Sequence, residues 1–145
     1  MANILPNAVK AKLIRSTWNL DLTTATVKAA LVDSGTVPMS ATLTNFSDIS
    51  AGVVGTPQTL TSKSFDALVG AGANSSPGVF DAADVSFPNV TGNSAEYIAI
   101  YVDTGTASTS QLIMLVDQVA SGLPVTPNTG AINIQWDGVN GVFRA

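Results

Sequence analysis

The side chains to ask chemistry of first in this 145-residue chain are its carboxylates, nine Asp and one Glu, because the sequence has no His and no Cys. Without those two residue types, neither a Ser-His-Asp nor a Cys-His nucleophile system can be assembled, and the commonest zinc ligand sets are excluded. Paired carboxylates remain. A glycosidase needs two of them facing across a cleft at roughly 5 to 9.5 Å, and Asp81 with Asp84, or Glu96 with Asp103, can be written down as such pairs. Nothing in the sequence singles out either. Most of the acids fall at strand ends or in turns, where Asp hydrogen-bonds the local backbone for structural reasons alone. No catalytic residue is assigned, and the chain reads as a non-enzyme.

Calcium is the other use for carboxylates, since it takes six to eight oxygen ligands. Asp81 and Asp84 lie close together beside a loop, but no DxDxDG ligand loop is present. No metal or cofactor is expected. Gly70-Ala71-Gly72 completes neither the phosphate-loop pattern nor the dinucleotide fingerprint, and reads as part of an exposed loop from Asp66 to Gly78. Trp18, Trp136, Tyr97 and Tyr101 could stack on a sugar or a base, yet aromatic residues at inward strand positions belong to a core.

The elements that would position these residues are mostly strands. In AEYIAIYVD, Ile98, Ile100 and Val102 alternate with Tyr97, Ala99 and Tyr101, and both faces are apolar, the mark of an inner strand. INIQWD alternates cleanly, with Ile132, Ile134 and Trp136 on the packed side. TVKAALVD places Val27, Ala29 and Leu31 on one face and is followed by a turn at Ser34-Gly35. Further strands are expected at Gln58 to Phe65, at Val79 to Phe87 with an interruption near Asp81 to Asp84, and at SQLIMLVD, pairing antiparallel with AEYIAIYVD. INIQWD and GVFR form a last pair. Val37 to Pro57, broken by Pro38, Gly52, Gly55 and Pro57, reads as short strand or extended loop.

Pro6 to Trp18 is the helix candidate, with Pro6 at its first position and Val9, Leu13 and Ile14 near one face. Such a short helix must dock on its own sheet or on a neighbouring subunit, and both remain open. Seven or eight strands with irregular spacing give an all-β fold: an antiparallel β-sandwich of jelly-roll type with a short N-terminal helix or arm. One domain spans residues 1–145, with the arm in 1–20 and the sandwich in 21–145. A chain of this size buries roughly 70% of the surface it exposes when unfolded.

Charge narrows the partners. The charged fraction is 11%, under half of the ~25% usual for soluble domains. A surface so poor in charge suits a protein that covers itself with its own copies or a partner. Net charge is −4, which argues against nucleic acid; the one basic cluster is Lys10, Lys12 and Arg15. No segment reaches the ~20 apolar residues of a membrane span, and the N-terminus lacks the apolar core of a secretory signal.

Four stretches in order resemble a family of small virion proteins of tailed bacteriophages: DLTTATVKAALVDS from Asp21, FDAADVSFPNVTG from Phe80, YVDTGTASTSQLI from Tyr101, and the run from Leu123 to Arg144 that carries LPVTPN and INIQWD. The resemblance covers nearly the whole chain. It implies a structural role without enzymatic activity, as a capsid cement or decoration protein. Such a protein is a homo-oligomer, often a trimer, seated where copies of the major capsid protein meet. It would be made in the bacterial host cytoplasm and end on the capsid surface of the virion. The family supplies no contact residues, so the docking segment is inferred from the arm as Ile4, Leu5, Lys10, Lys12 and Arg15, contacting the capsid or another subunit. Two other functions stand beside this one: a tail or adsorption component binding a host-surface glycan, and a carbohydrate-binding β-sandwich module using Trp136.

Overall fold

The computed structural model describes residues 3–17, 19–66 and 78–144. The Asp66 to Gly78 loop with Gly70-Ala71-Gly72, and Trp18, fall wholly or mainly outside those residues. The chain is mostly β and its named strand pairs are antiparallel. Strands β1 (Val27–Val32), β2 (Val53–Thr59), β6 (Tyr97–Val102) and β7 (Leu112–Val116) form one sheet in the order β2-β1-β6-β7. Strands β3 (Ser64–Asp66), β4 (Val79–Asp81) and β9 (Phe143–Arg144) form a second, in the order β3-β4-β9, and β5 (Val85–Phe87) pairs with β8 (Ile132–Ile134).

Within the four-stranded sheet β6 and β7 are buried on both faces, which is why they read as unbroken apolar runs. In the β1–β6 register Leu31 faces Ile98 and Ala29 faces Ile100. These side chains pack with Phe80, Phe87, Ile132, Ile134, Trp136 and Phe143 from the smaller sheets in the principal core. Phe80 anchors that layer, its ring centroid 5.4 Å from Phe65 and 5.3 Å from Phe143. On the other face, Ala30, Val32, Tyr97, Ala99 and Tyr101 meet a cover built by the chain between β1 and β2, with Val37, Met39, Leu43 and Phe46 against them. Within this cover a one-turn helix, α2 (Phe46–Ile49), starts in a capping box. Asp48 accepts the Asn45 N–H at 3.0 Å and the Thr44 N–H at 2.8 Å.

Both edges of the large sheet are guarded. Ile4 forms an antiparallel bridge with Leu115, its N–H donating at 2.8 Å and its carbonyl accepting at 2.9 Å. Leu112 donates to the Thr44 carbonyl at 2.9 Å, and the Asn3 side chain accepts the N–H groups of Asp117 and Gln118. The β7 edge is therefore satisfied by the chain's own segments. At the β2 edge, Gly55, Thr56 and Pro57 all stand opposite Ala30 where the register shifts. This irregularity takes away the flat edge that another strand would pair with.

Four details of the sequence reading change. The stretch read as mixed from Val37 to Pro57 contains α2 and most of β2; the strand accommodates Gly55 and Pro57 because they fall in the register shift, where the ladder does not need a proline N–H. Gln58 to Phe65 is not one strand: β2 ends at Thr59, Ser62 takes φ +52, and β3 joins a different sheet. INIQWD and GVFR are not each other's partners; β8 pairs with β5 and β9 with β4, and the two stretches meet only at the Asp137–Gly141 bridge. Nine strands are present among the described residues, in place of seven or eight. No helix there is long and apolar enough to cross a membrane.

The N-terminal helix, α1 (Asn7–Ile14), starts one residue later than expected, with Pro6 preceding its first turn, and it is shorter. It stops because Ser16 adopts φ +53, which lets Ser16 donate to Leu13 and Thr17 to Lys12 in a Schellman arrangement. Val9 is buried as expected. Leu13 and Ile14 are not on a packed face: they are 49% and 84% exposed. The sheet face that could have received them is already taken by Met39, Leu43 and Phe46. The Asn7 N–H, bonded to the Ala41 carbonyl at 2.8 Å, holds only the first turn of α1 on that cover.

Candidate functional site

The five residues assigned to docking divide into two groups. Ile4 and Leu5 turn inward: Ile4 bridges β7 and packs with the second-face cluster, and Leu5 packs on the principal core. The arm thus docks on its own subunit. Lys10, Lys12 and Arg15 are exposed on α1, as is every described residue from Lys10 to Thr17. The Lys12 ammonium donates to the Gln111 side-chain carbonyl just before β7. It lines a hollow of about 300 Å³ with Leu20, Val102, Thr104 and Thr109. Among the described residues Lys10 and Arg15 have no ion-pair partner.

Leu13 and Ile14 complete this surface and were missed as surface residues, because their spacing from Val9 is that of a packed helix stripe. No local signal separates them from a packed stripe, which Trp18, four residues after Ile14, would continue in the sequence. Lys10, Leu13 and Ile14, spaced i, i+3 and i+4, share one side of α1. The field around them is lopsided. Residues 1–20 carry three cations and no anion, and residues 21–145 carry ten anions and three cations, so the arm is +3 on a body of −7.

The carboxylates have structural duties. Asp81 accepts the Ala82 N–H at 2.9 Å and Asp84 the Trp136 N–H at 3.0 Å. Glu96 accepts from the Ser34 N–H at 2.8 Å and its hydroxyl at 3.0 Å. Asp103 pairs with Lys28 at 2.6 Å and accepts the Gly105 N–H at 2.9 Å; the Lys28 bond, more than any other contact, holds its carboxyl below the usual range. Glu96 and Asp103 flank opposite ends of β6, seven residues or roughly 23 Å apart on an extended strand, so they do not face each other across a cleft.

The most elaborated polar cluster is also structural. Asp33, at the end of β1, accepts from the Thr36 hydroxyl at 2.7 Å, from Asn93 at 2.8 Å and from the Gly35 N–H at 2.8 Å. Those donors, the Thr36 hydroxyl foremost, lower its pKa and tie the β1 turn to the loop before β6. Of the aromatic residues, Tyr97, Tyr101 and Trp136 are in the core. Burial, and then the charge of Asp33, pushes the Tyr97 hydroxyl up to about 12; burial and then Asp103 do the same to Tyr101. Tyr97 donates to the Val37 carbonyl at 3.0 Å, and the Trp136 indole to the Ala83 carbonyl at 3.0 Å. Among the described residues no group of three or more carboxylates is arranged to hold a metal ion.

Chemically this surface offers cations and aliphatic side chains on an exposed helix. No protein-family model matches the chain, and comparison with curated proteins finds no match.

Proposed function

We propose that this chain is a non-enzymatic structural protein of a phage particle, an oligomeric cement or decoration protein bound to the outer capsid shell. One observation carries the reading: the β domain carries a short helix whose large apolar side chains, Leu13 and Ile14, stand in water beside cations that have no ion-pair partner among the described residues. Isolated helices under about 12 residues are marginal in water. A surface of this kind is completed by another protein. The guarded sheet edges support the same reading, since they direct association away from strand addition and toward side-chain contacts. We read the four-stranded sheet and the smaller sheets facing it as a jelly-roll-like sandwich, a rigid block suited to bridging neighbouring major capsid proteins.

Stabilisation of the shell would arise from apolar area buried across capsomer boundaries, at roughly 25 cal/mol per Å² before the costs of association. Many copies on a fixed lattice would act together. The test is to mix the purified chain with particles lacking it and image them by cryo-EM. Density at regular positions on the shell is the expected result. Density only at the tail, or none, refutes the cement role.

A further inference from the structure

We propose that the exposed side of α1 is a subunit contact, and that its occupant is the acidic corner of a second copy of this chain, built by Asp81, Asp84 and the turn bearing Val139. This inference concerns self-association alone and does not rest on the capsid reading.

The corner is as unusual as the helix. Val139 is 76% exposed, so with Leu13 and Ile14 it is among the few large apolar side chains that the described residues present to water. Asp137 organises its turn by accepting the N–H groups of Val139 and Asn140, both at 2.8 Å. The turn is pinned beside β4, where the Val142 N–H donates to the Phe80 carbonyl at 2.9 Å, next to Asp81. Asp84 comes to the same place through its bond to the Trp136 N–H. Asp81 and Asp84 are exposed; with Asp137 they set three carboxylates against Arg144, whose guanidinium stands at this corner bonded to Asn140 at 3.1 Å.

The two surfaces are complementary in kind and lie on different elements. Helix α1 offers cations around Leu13 and Ile14; the corner offers carboxylates around Val139. Charge complementarity at the rim of an apolar contact steers association and fixes its register. Helix α1 is held at the β7 side of the large sheet through Ile4 and Lys12, whereas the corner is built on β4, on the chain entering β5 and on the 137–141 turn. Both surfaces are exposed within one chain, so the proposed contact joins different copies head to tail. Repeated, it closes into a ring when the rotation permits.

The experiment measures association by sedimentation velocity over a concentration series, from the micromolar range upward. The wild type should self-associate. K10E/R15E should weaken association at least ~10-fold by placing like charges against each other. Exchanging signs on both surfaces in one chain, K10E/R15E/D81K/D84K, should restore it. All four positions are exposed, and circular dichroism verifies folding. A wild type that stays monomeric overturns the proposal, as does a double variant that associates normally or a folded quadruple variant that shows no recovery. A second measurement is independent of charge: the chain has no cysteine, so I14C/V139C should give oligomers on a non-reducing gel that neither single variant gives. Crosslinking no greater than in the single variants refutes the contact.

Discussion

Two glycines with nearly the same backbone angle provide a controlled test of how the smaller sheets are held. Gly122 has φ +112 and Gly92 has φ +110, values that side-chain-bearing residues rarely adopt. A Cβ on Gly92 would meet nothing within 4 Å. A Cβ on Gly122 would stand 2.5 Å from the Asn133 carbonyl oxygen and 2.6 Å from the Ile134 Cδ1. The aliphatic tip can swing away, but the carbonyl belongs to the backbone of β8, whose neighbour Gln135 bridges Ser121. The chain after β7 is thus pressed onto β8 at a point that admits no side chain.

For Gly92→Ala the backbone strain of about 1–3 kcal/mol is offset in part by about 0.4–1 kcal/mol from the reduced freedom of the unfolded chain. Gly122→Ala bears the same terms and adds overpacking against β8, about 1–3 kcal/mol. At roughly 2–4 °C per kcal/mol for a chain near this size, the expected difference in Tm between the variants is several degrees, with Gly122→Ala the lower. Urea unfolding of both variants, with unchanged slopes, gives the free energies directly. Equal losses would refute the reasoning, since they would mean that the approach of Gly122 to β8 is not close enough to exclude a methyl group.

Three further outcomes follow from the polar contacts and the sheet edge. Asp103 has its pKa lowered chiefly by Lys28, so its contribution is complete above the ordinary carboxylate range and is lost as pH falls through that range and below. Asp103→Asn should cost about 1 kcal/mol at pH 7 and should flatten the acid limb of a urea-midpoint profile; a parallel acid limb contradicts this. Tyr97 and Tyr101 are pushed up to about 12, so the unfolded chain loses its tyrosine protons first and stability should fall from about pH 10 to 12, by up to about 1.4 kcal/mol per pH unit for each. The pair Tyr97→Phe and Tyr101→Phe should remove that alkaline fall, and persistence of the fall would assign it elsewhere. Ile4→Pro deletes the N–H donated to Leu115, which should cost about 1 kcal/mol and raise light scattering at high concentration as the β7 edge opens; an unchanged Tm and a monodisperse solution would show that the bridge does not guard it.

The strands of the large sheet were legible because burial writes itself into the residue pattern. β6 is apolar on both faces and lies between two neighbours, and Val27, Ala29 and Leu31 do share the principal core. Ile132, Ile134 and Trp136 alternate with exposed neighbours as read. Strand partners were less legible, since GVFR and INIQWD each carry a packed side but nothing local says against which strand. The break at Ser62 depends on a backbone angle available to Ser at modest cost, with no glycine to announce it. The exposed surface of α1 was half legible: its cations are visible as charge, but the exposure of Leu13 and Ile14 follows from Met39, Leu43 and Phe46, which lie more than twenty residues away and occupy the sheet face.

That competition for one sheet face has a consequence for how the molecule associates. Had α1 covered the second face, the chain from Val37 to Ile49 would have been the projecting element, with Asp48 as its only charge. Instead the cover is the segment poor in charge, and the displaced element is the one holding half of the chain's cations. Its first turn is fixed by Asn7 and Val9, so the exposed side chains start from a defined place, which lowers the ordering cost that a flexible arm would bring to a contact. An arm of +3 on a body of −7 repels nothing on a second copy presented arm to body, while arm to arm and body to body are both disfavoured. In the proposed contact, head-to-tail geometry would be selected by charge before any apolar area is buried, and raising the salt concentration should weaken association in the wild type and in the sign-exchanged variant alike. A wild-type association that grows stronger with salt would refute charge as what selects this geometry.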